Sequence, residues 1–496
     1  MADHSGQNSR LVLLTFGTFG QLLLQTVLQI VCAKIYGTDL QMDASTAALI
    51  IPLALTGLIA MPLSAVLIPQ LQQLTREQGG DQKARESASW LMLVVMGCGM
   101  GMAFVLQQSS GVLVDWVYPD LEKQSAEETA RQLSLLVWMF PANLLIGLTQ
   151  NMAHWKSQFL FPVIGGLLGP LLTVVVTMAL GASWGIDALN WGLVWGAWAG
   201  ALVQFLGIVA LLSVPKGNAV WIRNLLWLAL PVLLGNLALR LEPLIDRSFS
   251  SGLEQGTLSQ LGYASRIVLA LCSLSAGGIS TLIFPQLSAT AHDRDQLRAV
   301  YSRGMETLVY LLMPVVVAVA CFHRQIVADL LQRGAFTSQD TAVVSMLLVG
   351  SLGVVIGSGL GEISARTFFA LNSTRWPVLI STPLLLGGFV LKALLVDDYG
   401  VVSLVIISSV VYLLSAIVQM SVLWWRFGLS FSVGILQPVL MSLLASLPSV
   451  AAGYGLIHFG VPYPAVWGGV VGVISYAAIV YGMSQLQRRD AKTQAD

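Results

Sequence analysis

The chain has 496 residues, 56% hydrophobic and 10% charged, and its 25 Lys+Arg balance 25 Asp+Glu to a net charge of zero. Soluble domains carry about 25% charged residues, so too few polar side chains exist here to cover a water-facing surface. A soluble enzyme, a disordered chain and a disulfide-rich secreted domain are excluded, and no basic excess exists for binding nucleic acid.

A bilayer crossing takes about 20 mostly apolar residues. Fourteen such spans follow in chain order: 11–35, 44–71, 88–116, 133–153, 159–180, 188–212, 221–249, 258–287, 301–322, 342–371, 378–396, 401–423, 431–457 and 465–481. The first is longer than a signal-peptide core and lacks a small-residue cleavage site, so it reads as a retained helix. With the amino terminus taken as cytoplasmic, fifteen of the 25 basic residues fall on inward segments. Five fall on outward loops: Lys123, Arg131, Arg324, Arg333 and Lys392. That bias sets the orientation, with both termini cytoplasmic. Trp116, Tyr118, Trp221, Trp376, Trp424 and Trp425 stand near span ends, as an interfacial belt does.

The chain resembles itself. Val66-Leu-Ile-Pro-Gln-Leu71 closes span 2, and Leu282-Ile-Phe-Pro-Gln-Leu287 closes span 8. Trp155-Lys-Ser-Gln-Phe-Leu-Phe-Pro162 enters span 5, and Asn372-Ser-Thr-Arg-Trp-Pro377 enters span 11. Both pairs are six spans apart, an even number, so the copies share one orientation. The expected architecture is an all-α polytopic membrane protein. It has two six-helix lobes in parallel repeat, residues 1–213 and 214–426, followed by two extra spans and a cytoplasmic tail in 427–496. A site is expected between the lobes.

Ionisable residues at bilayer depth need a partner or a wet cavity. Span 7 holds Arg240 and Arg247 on one face with Asn236, and Glu242 and Asp246 on nearly the opposite one. Pro243 among them predicts a kink. Arg266 in span 8 and the i,i+4 pair Glu362/Arg366 in span 10 extend the set. Ahead of that pair, Gly353, Gly357 and Gly361 form a small-residue ladder that suits close helix packing or a hinge. Gln21, Gln25 and Gln29 form one polar stripe on span 1, readable as a groove lining or as helix–helix hydrogen bonding. Cys32, Cys98, Cys272 and Cys321 are scattered in apolar runs, and the five histidines lack metal-ligand spacing. There is no phosphate loop, HExxH or GxSxG motif, so neither an enzyme nor a cofactor or metal is expected. Fixed arginines in a wet cavity replace part of the hydration that an anionic headgroup loses in hydrocarbon, and their forks match phosphate oxygens.

Several stretches resemble the MurJ/MviN family of lipid II flippases. They are Ala33-Lys-Ile-Tyr-Gly37 with Asp43-Ala44, Leu244-Ile-Asp-Arg247, Tyr263-Ala-Ser-Arg266 with Phe284-Pro-Gln-Leu-Ser288, and Leu331-Gln-Arg-Gly-Ala-Phe-Thr337 with Asp340. The resemblance runs from about residue 15 to 425. It implies the fold of the multidrug, oligosaccharidyl-lipid and polysaccharide exporter superfamily. It also implies flipping of an undecaprenyl-pyrophosphate-linked saccharide from the inner to the outer leaflet of the bacterial cytoplasmic membrane. Asp43, Arg247 and Arg266 match polar positions of the family, and Asp246 matches an ion ligand of some relatives; Glu242 is grouped with it for ion coupling. Where the family carries arginines in spans 1 and 2, this chain has Gln25, Leu28, Gln29, Thr56 and Gly57. Span 11 offers Gly387, Gly388 and Lys392 and no Asn or Asp.

The expected function is a flippase acting by alternating access on a polyprenyl-linked saccharide in contact with membrane lipids. Its cavity is expected to include Arg240, Arg247, Arg266, Arg366, Glu362, Asp43, Asn236, Gln21, Gln25 and Gln29. A monomer without nucleic-acid contacts is expected, with envelope-synthesis proteins as candidate partners. Two alternatives stand beside it: a cation-coupled exporter of small amphiphiles, and a non-transporting scaffold of an envelope-synthesis complex.

Overall fold

The structure, a computed structural model, describes residues 2–77, 80–215, 219–273, 278–429 and 436–458. Among them every regular element is a helix. In chain order these are α1 (Ala2–Ile35), α2 (Leu40–Thr75), α3 (Gly80–Gln108), α4 (Ser110–Val117), α5 (Lys123–Leu136), α6 (Met139–Trp155), α7 (Leu160–Trp184) and α8 (Ile186–Ile208). After a 3-10 turn at Val209–Leu211 come α9 (Ala219–Ser250), α10 (Thr257–Cys272), α11 (Gly278–Thr290), α12 (Arg294–Leu331), α13 (Ser338–Gly350), α14 (Leu352–Ala370), α15 (Arg375–Tyr399), α16 (Val401–Phe427) and α17 (Leu436–His458). Helices dominate because in hydrocarbon a helix satisfies its own backbone. Among the described residues, nine helical stretches are long and apolar enough to cross a bilayer, or eleven if each of two bent pairs is one crossing. The span expected at 465–481 lies outside the described residues.

Hydropathy misses the breaks. Span 3 divides at Ser109 (φ −104°, ψ 17°) into α3 and α4. Span 4 is α5 and α6, meeting at 40°. Pro141 sits in the first turn of α6, where its missing N–H costs nothing. α9 bends by 53° between Gly235 and Leu237. Pro243 predicts that bend; it falls instead at Asn236, bracketed by Pro231 and Pro243. Gly235 and Asn236 are weak helix formers and stand one turn ahead of Leu239, whose carbonyl loses its helical donor to Pro243, so the helix yields there.

Lys392 also departs from its expected place. It lies in α15 rather than in an outward loop, and its side chain is 1% exposed. It stands inside the apolar stretch 378–396, and the backbone continues helical to Tyr399. The ammonium stands 5.8 Å from the Phe389 ring centroid, within range of a cation–π contact.

The chain packs as two compact units, Met1–Ser259 with Arg333–Phe336, and Gln260–Gln332 with Thr337–Asp496. In the first, Val114, Leu133, Leu136 and Val137 are fully buried against Ala47 and Ala48 of α2. α9 also belongs here, packed along α2. α7 and α8 approach through glycines: a Cβ on Gly196 would stand 2.5 Å from the Gly169 carbonyl oxygen. Only small residues allow so close a crossing. In the second unit, Met305, Leu308, Phe368 and Leu423 form the fully buried centre.

The internal repeat extends to backbone detail. α7 and α15 each have 25 residues and begin at Leu160 and Arg375. Ser157 (φ 55°) and Asn372 (φ 53°) precede them and are the two non-glycine residues at positive φ among those described. Gly185 (φ 58°) and Gly400 (φ 64°) close them. Each preceding helix ends on the same bond, Gln158 N to Ala153 O and Ser373 N to Phe368 O, both 2.8 Å. These are the 6→1 bonds of one C-terminal cap. Every pair is separated by the same 215 residues as the proline motifs at 162 and 377.

Candidate functional site

A basic residue inside a span costs about 2.5–3.5 kcal/mol to insert, so the neighbours of each one decide its role. In the first unit Arg240 is exposed on α9 and reaches along α2. Its Nη2 lies 3.1 Å from Met61 Sδ. A Cβ on Gly57 would stand 3.4 Å from its Cδ, so the glycine leaves the space that the arginine stem uses. Among the described residues no carboxylate lies within 4.0 Å of this guanidinium.

Arg247, two turns on, is 8% exposed and donates to the Pro243 carbonyl oxygen at 3.1 Å. Beside it the Ser248 hydroxyl donates to the Val117 carbonyl oxygen at 2.6 Å. The two arginines share a helix face but meet different neighbours: a glycine of α2 at one level, the end of α4 at the other. One stays open and the other is enclosed. Glu242 is buried and Asp246 half-buried on the same helix. Asn236 contributes backbone to the bend; its side chain lies outside the described residues.

The glutamine stripe of α1 runs from open to closed. Gln21 is half-buried with its amide over Gly166 of α7, where a Cβ would come within 1.8 Å of its Nε2. Gln25 is exposed, and Gln29 is 8% exposed.

The turn after α1 joins two motifs that lie far apart in sequence. Gly37 (φ 59°) and Gly334 (φ 60°) both adopt the left-handed conformation. A Cβ on Gly37 would stand 2.5 Å from the Ala335 carbonyl oxygen, and one on Gly334 2.2 Å from the Lys34 carbonyl oxygen. The Ala335 N–H donates to Lys34 O at 3.1 Å. Lys34 and Gly37 therefore meet Gly334 and Ala335 in one contact within the first unit. The Tyr36 hydroxyl donates to Gly185 O at 2.9 Å, and burial pushes its pKa well above the usual phenol range, which keeps that donor protonated.

Asp43 is 7% exposed and accepts from the backbone N–H of Gly256 at 2.5 Å and of Ser259 at 2.8 Å. Gly256 precedes the first residue of α10 and has no side chain with which to cap. The carboxylate of Asp43 does so instead, at the positive end of a helix.

In the second unit Arg266 is half-buried on α10. Arg366 Nε lies 2.7 Å from Glu362 Oε1, and its guanidinium is 5.6 Å from the Phe284 ring centroid. Gly353 and Gly357 pack on α16, where a Cβ on Gly357 would meet the Tyr412 carbonyl carbon at 2.4 Å. A Cβ on Gly361 would have nothing nearer than 3.9 Å. The ladder is thus a packing surface at its first two rungs. Thr337 and Asp340 form a capping box at the start of α13, and Gln260 Nε2 donates to Asp340 at 3.0 Å.

One polar chain escaped the sequence reading. Gln132 and Asn190 are fully buried. Ser45 Oγ donates to Asn190 Oδ1 at 2.7 Å, Asn190 Nδ2 to Gln132 Oε1 at 3.0 Å, and Gln132 Nε2 to Glu128 at 2.8 Å. Arg131 closes the chain on Glu128 and Asp187 at 2.7 and 2.9 Å. The available signal was an amide at 190 inside an apolar run. Among the described residues no group of three or more His, Cys, Asp or Glu could hold a metal ion.

Comparison with known proteins gives concordant matches. The family described as lipid II flippase MurJ matches residues 32–477. The probable lipid II flippase MurJ of Synechocystis sp. is 23% identical over 415 residues, covering 78% of this chain and 75% of that protein. A solved lipid II flippase MurJ in an inward closed conformation superposes with a TM-score of 0.83 at 17% identity, over 97% of this chain and 99% of the other. An inward-facing multidrug resistance MATE family transporter of the MOP superfamily gives 0.69 at 12% identity, over 82% and 94%. At these identities the two structures speak for the fold alone.

Proposed function

The chain belongs to the lipid II flippase MurJ family, and we propose that it carries an undecaprenyl-pyrophosphate-linked saccharide from the inner to the outer leaflet of the bacterial cytoplasmic membrane. Transport proceeds by alternating access of the six-span repeats, 1–213 and 214–426. The chain acts as a monomer with cytoplasmic termini, through binding rather than covalent catalysis.

The observation that carries this reading beyond the family is Arg240. It is a guanidinium in a span, exposed, laid over Gly57, with no carboxylate within 4.0 Å among the described residues. An arginine so placed keeps its hydration until an anion replaces it, and a pyrophosphate offers the paired oxygens that its fork matches. Arg266 and Arg366 add cations in the second unit, with Glu362 holding Arg366 until substrate competes for it. Gln21 and Gln25 provide uncharged amides along which sugar hydroxyls exchange hydrogen bonds. Gln29, Asp43 and Arg247 support this wall from their enclosed positions, with Asn236 at the bend. Asp246 and Glu242 supply the acids for ion coupling.

The test is a flipping assay. A labelled polyprenyl-linked saccharide is loaded on the inner leaflet, and its accessibility to an impermeant reagent outside is followed with time. Arg240→Ala with Arg266→Ala, at matched protein level, lowers the initial rate at least tenfold. An undiminished rate refutes the proposal.

A further inference from the structure

We propose that the break in α12 forms a binding site for the phosphate of an anionic membrane phospholipid, apart from the residues assigned to transport. Every residue of this site lies in the second unit. α12 has 38 residues, about 57 Å at 1.5 Å per residue, whereas the hydrocarbon layer takes about 30 Å. Its apolar stretch ends at Phe322, where the backbone leaves helical geometry (φ −120°, ψ 16°). The turns beyond it therefore stand at headgroup depth. The break itself is architectural, since α3 gives way at Ser109 with almost the same dihedrals. What distinguishes the break in α12 is the set of side chains around it.

A cavity of about 320 Å³ opens there, lined by Cys321, Phe322, His323, Arg324, Thr341 and Tyr454 among others. The rings of Phe322 and Tyr454 form its aromatic wall, tilted at 51° with centroids 5.2 Å apart. His323 turns a buried Nδ1 that has no hydrogen-bond partner among the described residues. Arg324 is exposed, with no carboxylate within 4.0 Å among the described residues. The polar acceptors nearby are already engaged: Gln325 Nε2 donates to Asp329 at 2.8 Å, and Thr341 Oγ1 donates to Gln332 Oε1 at 3.1 Å. What remains is the guanidinium fork of Arg324 at a cavity with an aromatic wall, with the unpartnered His323 Nδ1 enclosed beside it. That guanidinium calls for an anionic acceptor, and the aromatic wall calls for an apolar body behind it. Inorganic phosphate satisfies the first requirement only. A phospholipid satisfies both, and the bilayer delivers its phosphate at this depth.

Cys321 on the cavity wall is half-buried and free, so it reports occupancy; Cys98, exposed in the first unit, is the internal control. The full-length protein in neutral detergent is treated with N-ethylmaleimide, alone or with phosphatidylglycerol, phosphatidylcholine or inorganic phosphate. Labelling of each cysteine is read by peptide mass spectrometry. Phosphatidylglycerol is expected to slow Cys321 labelling about fivefold, the effect of one basic residue on an anionic lipid, and to leave Cys98 unchanged. Arg324→Glu removes the protection, and His323→Ala reduces it. Equal protection by phosphatidylcholine, or none by either lipid, overturns the proposal. Protection by inorganic phosphate matching that by phosphatidylglycerol overturns the lipid assignment in favour of a free anion. The deciding comparison is made in the unaltered protein, so a folding defect in a variant does not blunt it.

Discussion

The carboxylate of Asp43 lies 2.8 Å from the backbone nitrogen of Ser259, a residue 216 positions further along the chain. An acid on α2 thereby does for α10 what Gly256 cannot. Replacing Asp43 by Ala leaves two buried N–H groups without a partner, which costs about 1–3 kcal/mol each way such groups are measured. Asp43→Ala should therefore lower the midpoint of thermal unfolding in detergent, and Asp43→Asn, which keeps one acceptor oxygen, should recover at least part of the loss. Equal midpoints for Asp43→Ala and the unaltered protein would remove this carboxylate from the list of structural contacts.

Gly57 and Arg240 make a paired prediction. A leucine at 57 occupies the space along the Arg240 stem, where a Cβ alone already stands 3.4 Å from Cδ. Gly57→Leu should reduce flipping about as much as Arg240→Ala, and the double variant should be no worse than either single one. Additive losses in initial rate would show that the two positions act independently.

Glu362 and Arg366 keep side-chain exposures of 42% and 28%, so their 2.7 Å contact is partly screened by solvent. Such a pair contributes about 1 kcal/mol or less to stability. Exchanging the two residues, Glu362→Arg with Arg366→Glu, should therefore restore the thermal midpoint that Glu362→Gln lowers. If Arg366 serves the substrate, the exchanged protein still flips poorly, because the cation has moved by one turn. Full flipping by the exchanged protein would reduce the pair to a packing element.

The glycine ladder on α14 separates by rung. Gly357→Ala puts a Cβ at 2.4 Å from the Tyr412 backbone, which cannot yield as a flexible side chain would. Overpacking of this kind costs about 1–3 kcal/mol. Gly361→Ala meets nothing nearer than 3.9 Å and should be neutral or slightly stabilising. Unfolding midpoints of the two variants decide the matter; similar values would contradict the close packing of α14 on α16.

Much of the fold is legible because its signals are local. The helices follow from apolar length, the Glu362–Arg366 pair from i,i+4 spacing, and the repeat from proline motifs whose flanking turns recur 215 residues later. The candidate site is legible only as a set of residue types. That Arg240 is open and Arg247 enclosed depends on what α2 and α4 present to α9, and no spacing along α9 encodes it. Asp43 looks like a cavity acid until the N–H groups of Gly256 and Ser259 are seen on its oxygens. Lys392 interrupts the apolar stretch 378–396, yet the helix carries its side chain into the interior. The bend at Asn236 reflects a contest between two prolines and a weak Gly-Asn step, which inspection of Pro243 alone misplaces.

The seat that Gly334 and Ala335 provide for Gly37 also sets an order of assembly. Arg333–Phe336 complete the first unit, whose other residues end at Ser259. A ribosome adding about 5–20 residues per second needs roughly 4–15 s to bridge that interval. Throughout that time the first unit lacks these four residues, and the turn after the first helix, made earlier still, has waited longer for its counterpart. Maturation of the leading half thus waits on translation of the trailing half, and a nascent chain halted after Ser259 would hold an unfinished fold.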